Sequence, residues 1–333
     1  MILDNYYKWL GAFQRYANTN SNALNVGLVD TSGTNINMFF SYSSAYTSQS
    51  IGIDGHVDLQ VGNGTGEFAK TDYTLANNIT SNFGTPTVSF SSSVANNKLT
   101  RTITWTAENT SGSDQTIRQV GVIKKIHATN AATTNDVLIA EFALDQPVTV
   151  GAGETATVTV TWVDECTEST ITDNYYKWLG AIGKYAATQS GAVDVGITAI
   201  DGNSLSVYFN AGNSSAAYNC SLNGNYGFQF GGGDGTLSPS DYTLASQLEN
   251  ISVIDTMFFN YGTSDGKAKR TFSIAISNVD TVEKTIKQIG ITKKLSASTS
   301  VSKDVLIAEF NLIEPITLKA RERATITVDW IDS

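Results

Sequence analysis

The sequence predicts a mainly β protein: two tandem homologous antiparallel β-sandwich domains, jelly-roll-like, each opened by a short N-terminal helix. Three observations lead there. Blocks of the first half return in the second at a nearly constant offset, and polar and apolar residues alternate with period two through several segments. Charged residues make up only 16% of the 333, below the quarter or so of an ordinary globular chain. Thr, Ser, Asn and Gly take their place, a mixture that suits strands with polar β-branched faces and tight turns.

The duplication sets the domain plan. Asp4-Asn-Tyr-Tyr-Lys-Trp-Leu-Gly-Ala12 recurs letter for letter from Asp173 to Ala181, an offset of 169. Asp72-Tyr-Thr-Leu-Ala76 recurs from Asp241 to Ala245 at the same offset, and Asp136-Val-Leu-Ile-Ala-Glu-Phe142 from Asp304 to Phe310 at 168. Pro147 maps onto Pro315 and Trp162 onto Trp330. The period is a whole domain, far longer than a solenoid or propeller repeat. The expected units are 1–164 and 173–333, each with a complete set of strands and able to fold alone, joined by a short polar linker at 165–172.

Within a copy, Asp4 is placed to cap a helix whose Tyr6, Leu10, Phe13 and Ala17 fall at helical spacing, and Tyr175, Leu179, Ile182 and Ala186 repeat the stripe. Its Tyr-Tyr-x-Trp cluster could offer a sugar-stacking platform, but the plainer reading is a helix that plugs an open end of the sandwich with its aromatics. Strands are expected at 35–42, 87–91, 116–126 and 137–144. Leu99, Arg101, Ile103, Trp105 and Ala107 alternate with threonines in another. The last strand puts Ala156, Val158, Val160 and Trp162 on one face and threonines on the other, matched by Ala324, Ile326, Val328 and Trp330. That is the pattern of half-buried antiparallel strands, and it makes Trp162 and Trp330 core residues.

Candidates for chemistry are few. His56 and His127 have no histidine counterparts in the second copy, which excludes a shared histidine mechanism, and both read as surface or turn residues. Gly62-Asn-Gly-Thr-Gly66 and Gly231-Gly-Gly-Asp-Gly235 lack the Gly-Lys-Ser/Thr ending and following helix of a phosphate loop, so they are expected to be tight loops with glycines at positive φ. Asp72/Asp241, Asp136/Asp304 and Glu141/Glu309 occur in both copies and read as turn or strand-edge residues, although carboxylate pairs meet only in a fold. Asp234 and Asp201-Gly-Asn203 are partial matches to a calcium loop. Cys166 and Cys220 read as free thiols, Cys166 having no counterpart. No cofactor and no metal is expected. A net charge of −10 argues against nucleic acid as a partner. No apolar run is long enough for a membrane span, and the N-terminal residues lack the pattern of a signal peptide.

Three blocks carry a resemblance. Val61-Gly-Asn-Gly-Thr-Gly with Asp72-Tyr73-Thr-Leu75 is repeated by Phe230-Gly-Gly-Gly-Asp-Gly with Asp241-Tyr242-Thr-Leu244. Ile117-Arg-Gln-Val-Gly-Val122 is matched by Ile286-Lys-Gln-Ile-Gly-Ile291. Val137-Leu-Ile-Ala-Glu-Phe is followed by Pro147-Val-Thr-Val-Gly-Ala-Gly-Glu154 and the Thr-rich last strand. This series resembles the β-sandwich modules of tailed-bacteriophage virion structural proteins, of the decoration or accessory type. The resemblance covers most of each copy, and its motifs are short and structural. Gly151-Ala-Gly153 becomes Lys319-Ala-Arg321, a departure that puts an identical last turn in question. The resemblance implies a non-enzymatic protein of the virion, assembled in the host cytoplasm, binding other virion proteins of capsid or tail. The alternative is a receptor- or carbohydrate-binding module, part of a tail fibre or an adhesin.

Overall fold

The computed structural model describes residues 1–331 except 16–21, 41–49, 96–97, 129–133, 166–169, 185–190, 210–214, 255–257 and 265–266. The protein is mainly β, with several antiparallel sheets and few helices. The first half runs α1 (Asp4–Arg15), β1 (Asn22–Val29), β2 (Asn35–Phe40), β3 (Val57–Gly62), β4 (Thr87–Ala95), β5 (Lys98–Glu108), β6 (Gln115–His127), β7 (Thr134–Val150) and β8 (Thr155–Glu165). The second runs α2 (Asp173–Lys184), β9 (Gly191–Thr198), β10 (Ser204–Phe209), α3 (Ser215–Cys220), β11 (Tyr226–Gly231), β12 (Ile251–Val253), β13 (Phe258–Ser264), β14 (Lys267–Asn278), β15 (Lys284–Ser296), β16 (Ser302–Leu318) and β17 (Arg323–Ile331).

Each half carries the same three sheets. In the first they are the ribbon β1–β2, the sheet β3–β6–β7 and the sheet β4–β5–β8; in the second, β9–β10, β11–β15–β16 and β14 flanked by β17 on one side and β12 and β13 on the other. The alternation read from the sequence decides which side of each strand is buried. In β5, Leu99, Arg101, Ile103, Trp105 and Ala107 are buried and the threonines between them are not. Trp162 and Trp330 are both buried, with Val158, Val160, Ile326 and Val328 beside them. Removing such side chains from water supplies the main drive for folding. One apolar cluster runs through both halves.

The helices are the reason that cluster is continuous. Helix α1 lies on β1 and β7 of its own half and on β13 and β14 of the other, while α2 lies on β9 and β16 and on β4 and β5. The last-turn carbonyl of Gln14 accepts the N–H groups of Leu222 and Asn223, both at 3.0 Å. The carbonyl of Gly183, the equivalent residue, accepts those of Ile53 and Asp54 at 3.0 and 2.9 Å. Helix-end carbonyls that lack intrahelical partners are thus satisfied across the halves. Because contact i to j is repeated with the halves exchanged, the arrangement has the reciprocity of a two-fold interface.

Several expectations need correction. Strands β1 and β3 and helix α3 were not foreseen. Tyr6, Trp9, Tyr175, Tyr176 and Trp178 are buried, which removes the sugar platform on the helix. The glycine-rich loops do not use positive φ, since neither Gly62–Gly66 nor Gly231–Gly235 is among the positive-φ residues. In the first copy two of the glycines answer to crowding instead: a Cβ at Gly62 would lie 2.8 Å from the Ala76 carbonyl oxygen, and one at Gly64 2.7 Å from Gln119 Oε1, whereas those of the second loop would have 3.1 Å or more. Residues Thr170, Ile171 and Thr172 of the expected linker are bonded to β16, through an Ile171–Ala308 bridge and a Thr172 hydroxyl donating to the Leu306 carbonyl at 2.8 Å. The outer helix positions Ala17 and Ala186 lie outside the described residues, as does Cys166.

The turn put in question by Lys319-Ala-Arg321 is the same turn. Gly153 has φ +76° and Arg321 φ +63°. Gly153 donates its N–H to the Asn109 carbonyl at 2.9 Å, and Arg321 to that of Asn278 at 2.8 Å.

Candidate functional site

The sequence motif Asp-Tyr-Thr-Leu marks a junction built twice. Asp72 closes a turn, its N–H donating to the Ala69 carbonyl at 2.9 Å and its carboxylate accepting the Ala69 N–H at 2.7 Å. The same turn carries the Lys70 carbonyl, which accepts the N–H of Asp4 at 2.9 Å. In the second copy Asp241 and Ser238 form the same turn, and the Pro239 carbonyl accepts the N–H of Asp173 at 2.7 Å. The loop thereby ties the start of the helix to the sheet.

A second carboxyl completes the junction. The N–H of Ser238 donates both to Asp241 Oδ2, at 2.9 Å, and to Glu309 Oε1, at 3.0 Å. Two carboxyl groups that share one donor must lie close together, and like charges so placed cannot both ionise cheaply. Burial pushes Glu309 up to about 8, with Asp241 adding to it. Burial likewise pushes Glu141 up to about 7, with Asp72 adding to it and the amino group of Met1 opposing it. Each glutamate is thereby held nearer its neutral form than an ordinary carboxyl, beside the aspartate of its own copy. Both glutamates are only 2% exposed, whereas Asp72 and Asp241 are half-buried.

The motif tyrosines do something different. Tyr73 and Tyr242 are each 41% exposed, and their rings lie on the hairpin glycines Gly33 and Gly202, both at positive φ. Trp162 and Trp330 line the core against buried arginines. Arg270 sits 4.5 Å from the Trp330 ring centroid and donates to the Tyr175 hydroxyl at 2.7 Å. Arg101 sits 5.7 Å from Trp162, donates to Tyr6 at 3.0 Å and is ion-paired with Asp164.

Two further duplicated groups escaped sequence reasoning. Asn109 and Asn278 are fully buried, and each side-chain amide donates to three carbonyls around the last turn: Ser113, Val150 and Gly151, or Val282, Leu318 and Lys319. Lys124 and Lys293 are fully buried over Trp9 and Trp178. Lys124 donates to the Lys125 carbonyl at 2.7 Å, and Lys293 to that of Tyr218 at 2.9 Å. Burial pushes Lys293 down to about 7 and Lys124 well below its usual range. The repeat at a fixed offset was the available signal for all four, hidden because single residues carry no pattern.

Other candidates resolve simply. Asp234 is taken by Lys287 at 2.7 Å, and Asp201 pairs with Lys303 while capping Asn203. Among the described residues no group of three or more His, Cys, Asp or Glu is placed to hold a metal ion. His127 is a buried strand residue rather than a surface one. Burial and the neighbouring Lys124 push His56 down to about 4. Cys220 is buried and free, its thiol pushed up to about 12, a condition that suppresses thiolate chemistry. No described helix is long and apolar enough to cross a membrane. Compared with known protein families, curated proteins and solved structures, the chain matches none.

Proposed function

We propose that this is a non-enzymatic structural protein of a phage virion, a capsid decoration protein or an accessory of head, neck or tail. In this reading its two jelly-roll-like sandwich domains bind other virion proteins at two neighbouring positions. The observation that carries the proposal is the reciprocal contact between the halves. The shared polar groups of the two copies, namely the carboxyl pairs, the asparagines and the lysines, are spent on holding loops and helices in place. The two copies also differ at loops and outer faces, where partner contacts normally reside. A rigid pair of related surfaces can engage two subunits of a lattice, and a linked second contact raises avidity by roughly 10²–10⁴.

The test is co-sedimentation of the purified chain with particles that lack it. Saturable binding in a fixed ratio to one virion protein is expected. No binding to particles, with the chain folded, would sink the proposal.

A further inference from the structure

Both halves build one bulge, and they dress it differently. In β7, Leu144–Pro147 stand opposite Arg118 alone, because Ile117 pairs with Val148 and Gln119 with Ala143. In β16, Leu312–Pro315 stand opposite Lys287 in the same way. Extra residues on one strand must leave the ladder and bend outward. The second bulge carries Ile313, 101% exposed and the most exposed large apolar side chain among the described residues. The first bulge has Asp145 in its place.

The converse holds beside the bulge. In the first half a hollow of about 290 Å³ opens where β7 and β8, the outer strands of their sheets, meet. Its apolar wall is Ile117, Leu144, Val148, Val150, Ala156 and Val158. The second half has Ile316, Leu318 and Ile326 where the first has Val148, Val150 and Val158. Each of these is a methylene larger, and Ile316 packs on the core while Val148 stays 50% exposed. One half thus carries a hole with the smaller walls, and the other a knob.

The flanks of hole and knob carry opposite charge. From Leu144 to Thr159 the first half has two exposed acids, Asp145 and Glu154, and no Lys or Arg. The matching stretch of the second half has exposed Lys319, Arg321 and Arg323 where the first has Gly151, Gly153 and Thr155. These three bases stand against two acids, Glu314 and Glu322.

We infer that this protein assembles with further molecules of itself, Ile313 of one molecule entering the Val148 hollow of the next. The hollow has room for a branched aliphatic side chain, and taking that side chain out of water drives the contact. Lys319, Arg321 and Arg323 are brought to the acidic rim of Asp145 and Glu154, which orients the approach and disfavours pairing of two like faces. The joined surfaces are unlike, so the contact is heterologous. It continues from molecule to molecule, as a ring where the rotation closes and as a filament where it does not. The inference does not depend on the virion assignment.

The experiment is sedimentation velocity of the full-length chain over a range of concentrations, where growth beyond the monomer is expected. Ile313→Asp puts the first half's residue on the second bulge and should weaken association roughly tenfold or more. Val148→Ile with Val150→Leu and Val158→Ile puts the second half's residues around the hollow and should do the same. Each variant keeps what the other has lost, so their mixture should give a 1:1 heterodimer that grows no further. If the filled variant misfolds by circular dichroism, Val148→Glu, at a half-exposed position, replaces it. The inference is overturned if the wild type stays monomeric at about millimolar concentration, if either folded variant associates as the wild type does, or if the two variants do not pair when mixed.

Discussion

In the first copy the outer face of the β5–β8 pair is a ladder of hydroxyls: Thr102 meets Thr161 at 3.2 Å, Thr104 meets Thr159 at 3.3 Å and Thr106 meets Thr157 at 3.2 Å. In the second copy the first rung has become Thr271 on Asp329, at 2.7 Å, with Lys269 joined to the same carboxylate at 2.8 Å. The second rung survives as Thr327 on Ser273. The buried polar groups behave otherwise. Asn109 and Asn278, Glu141 and Glu309, and Lys124 and Lys293 are the same residue in both copies. An exposed pair contributes a few tenths of a kcal/mol and can be exchanged freely. A buried donor stripped of its partner costs about 1–3 kcal/mol, which is a reason for these three buried pairs to stay the same while the exposed rungs change.

The most severe way to probe the comparison is to separate the copies. Residues 1–164 and 173–333 each keep three sheets, so each should retain β structure by circular dichroism. Each also loses the carbonyl contacts at Gln14 and Gly183 and uncovers the apolar surface around the helices. Mixed halves are therefore expected to form a 1:1 complex, seen by light scattering, that melts higher than either alone. Two soluble halves that ignore each other would show that the contact between them contributes little.

Next in size are the tryptophans. Trp162→Ala and Trp330→Ala should each cost about 3–5 kcal/mol in urea unfolding. Trp330 should be the costlier by roughly 0.5–1 kcal/mol, because Arg270 stacks closer to it than Arg101 does to Trp162. Losses under about 1 kcal/mol at both would mean that these rings do not hold the core.

The carboxyl pairs give a smaller, pH-dependent effect. Both glutamates have folded values raised above the ordinary 4.5, to about 7 for Glu141 and about 8 for Glu309. The stabilisation is then complete below about pH 4.5 and is lost as pH rises through 7 in the first copy and 8 in the second, because the unfolded chain releases those protons earlier. The facing groups are Asp72 and the Met1 amine for Glu141, and Asp241 and the Ser238 N–H for Glu309. Compared with Glu141→Gln combined with Glu309→Gln, the wild type is expected to lose stability as pH rises from 5 to 9. The buried lysines Lys124 and Lys293 act in the opposite direction over the same range, so the test is the difference: a double glutamine variant with the wild-type pH profile would show that the glutamates are not raised.

How much of this was legible in the sequence follows from what each feature depends on. Period-two runs such as Leu99–Ala107 and Ala156–Trp162 announce strand and buried face together, because the pleat itself has period two. The duplicated Asp-Tyr-Thr-Leu block was visible, but its partner glutamate sits about seventy residues away and only the fold brings the two together. Strand β3 was missed although Val57, Leu59 and Val61 alternate, since it is short and runs straight into the glycine loop. The loop itself was read for the wrong property: the glycines there answer to crowding by Ala76 and Gln119 rather than to backbone conformation.

The last turn offers the finest comparison, one residue against its twin. Gly153 and Arg321 share the left-handed conformation and the same hydrogen bonds, and in both turns the following glutamate carboxylate accepts a backbone N–H, at 2.8 Å from Gly151 and 2.7 Å from Lys319. A side chain at positive φ costs roughly 1–2 kcal/mol, which glycine avoids, although glycine gives back part of that gain through the freer unfolded chain. Arg321→Gly should therefore stabilise the protein by about 0.5–1 kcal/mol, and Gly153→Arg should destabilise it by a similar amount or more. The measurement is the urea midpoint of each variant at constant slope. Arg321→Gly leaving the midpoint unchanged or lowering it would mean that the arginine side chain makes a compensating contact in the second copy, and that the two turns are equal in shape but not in energy.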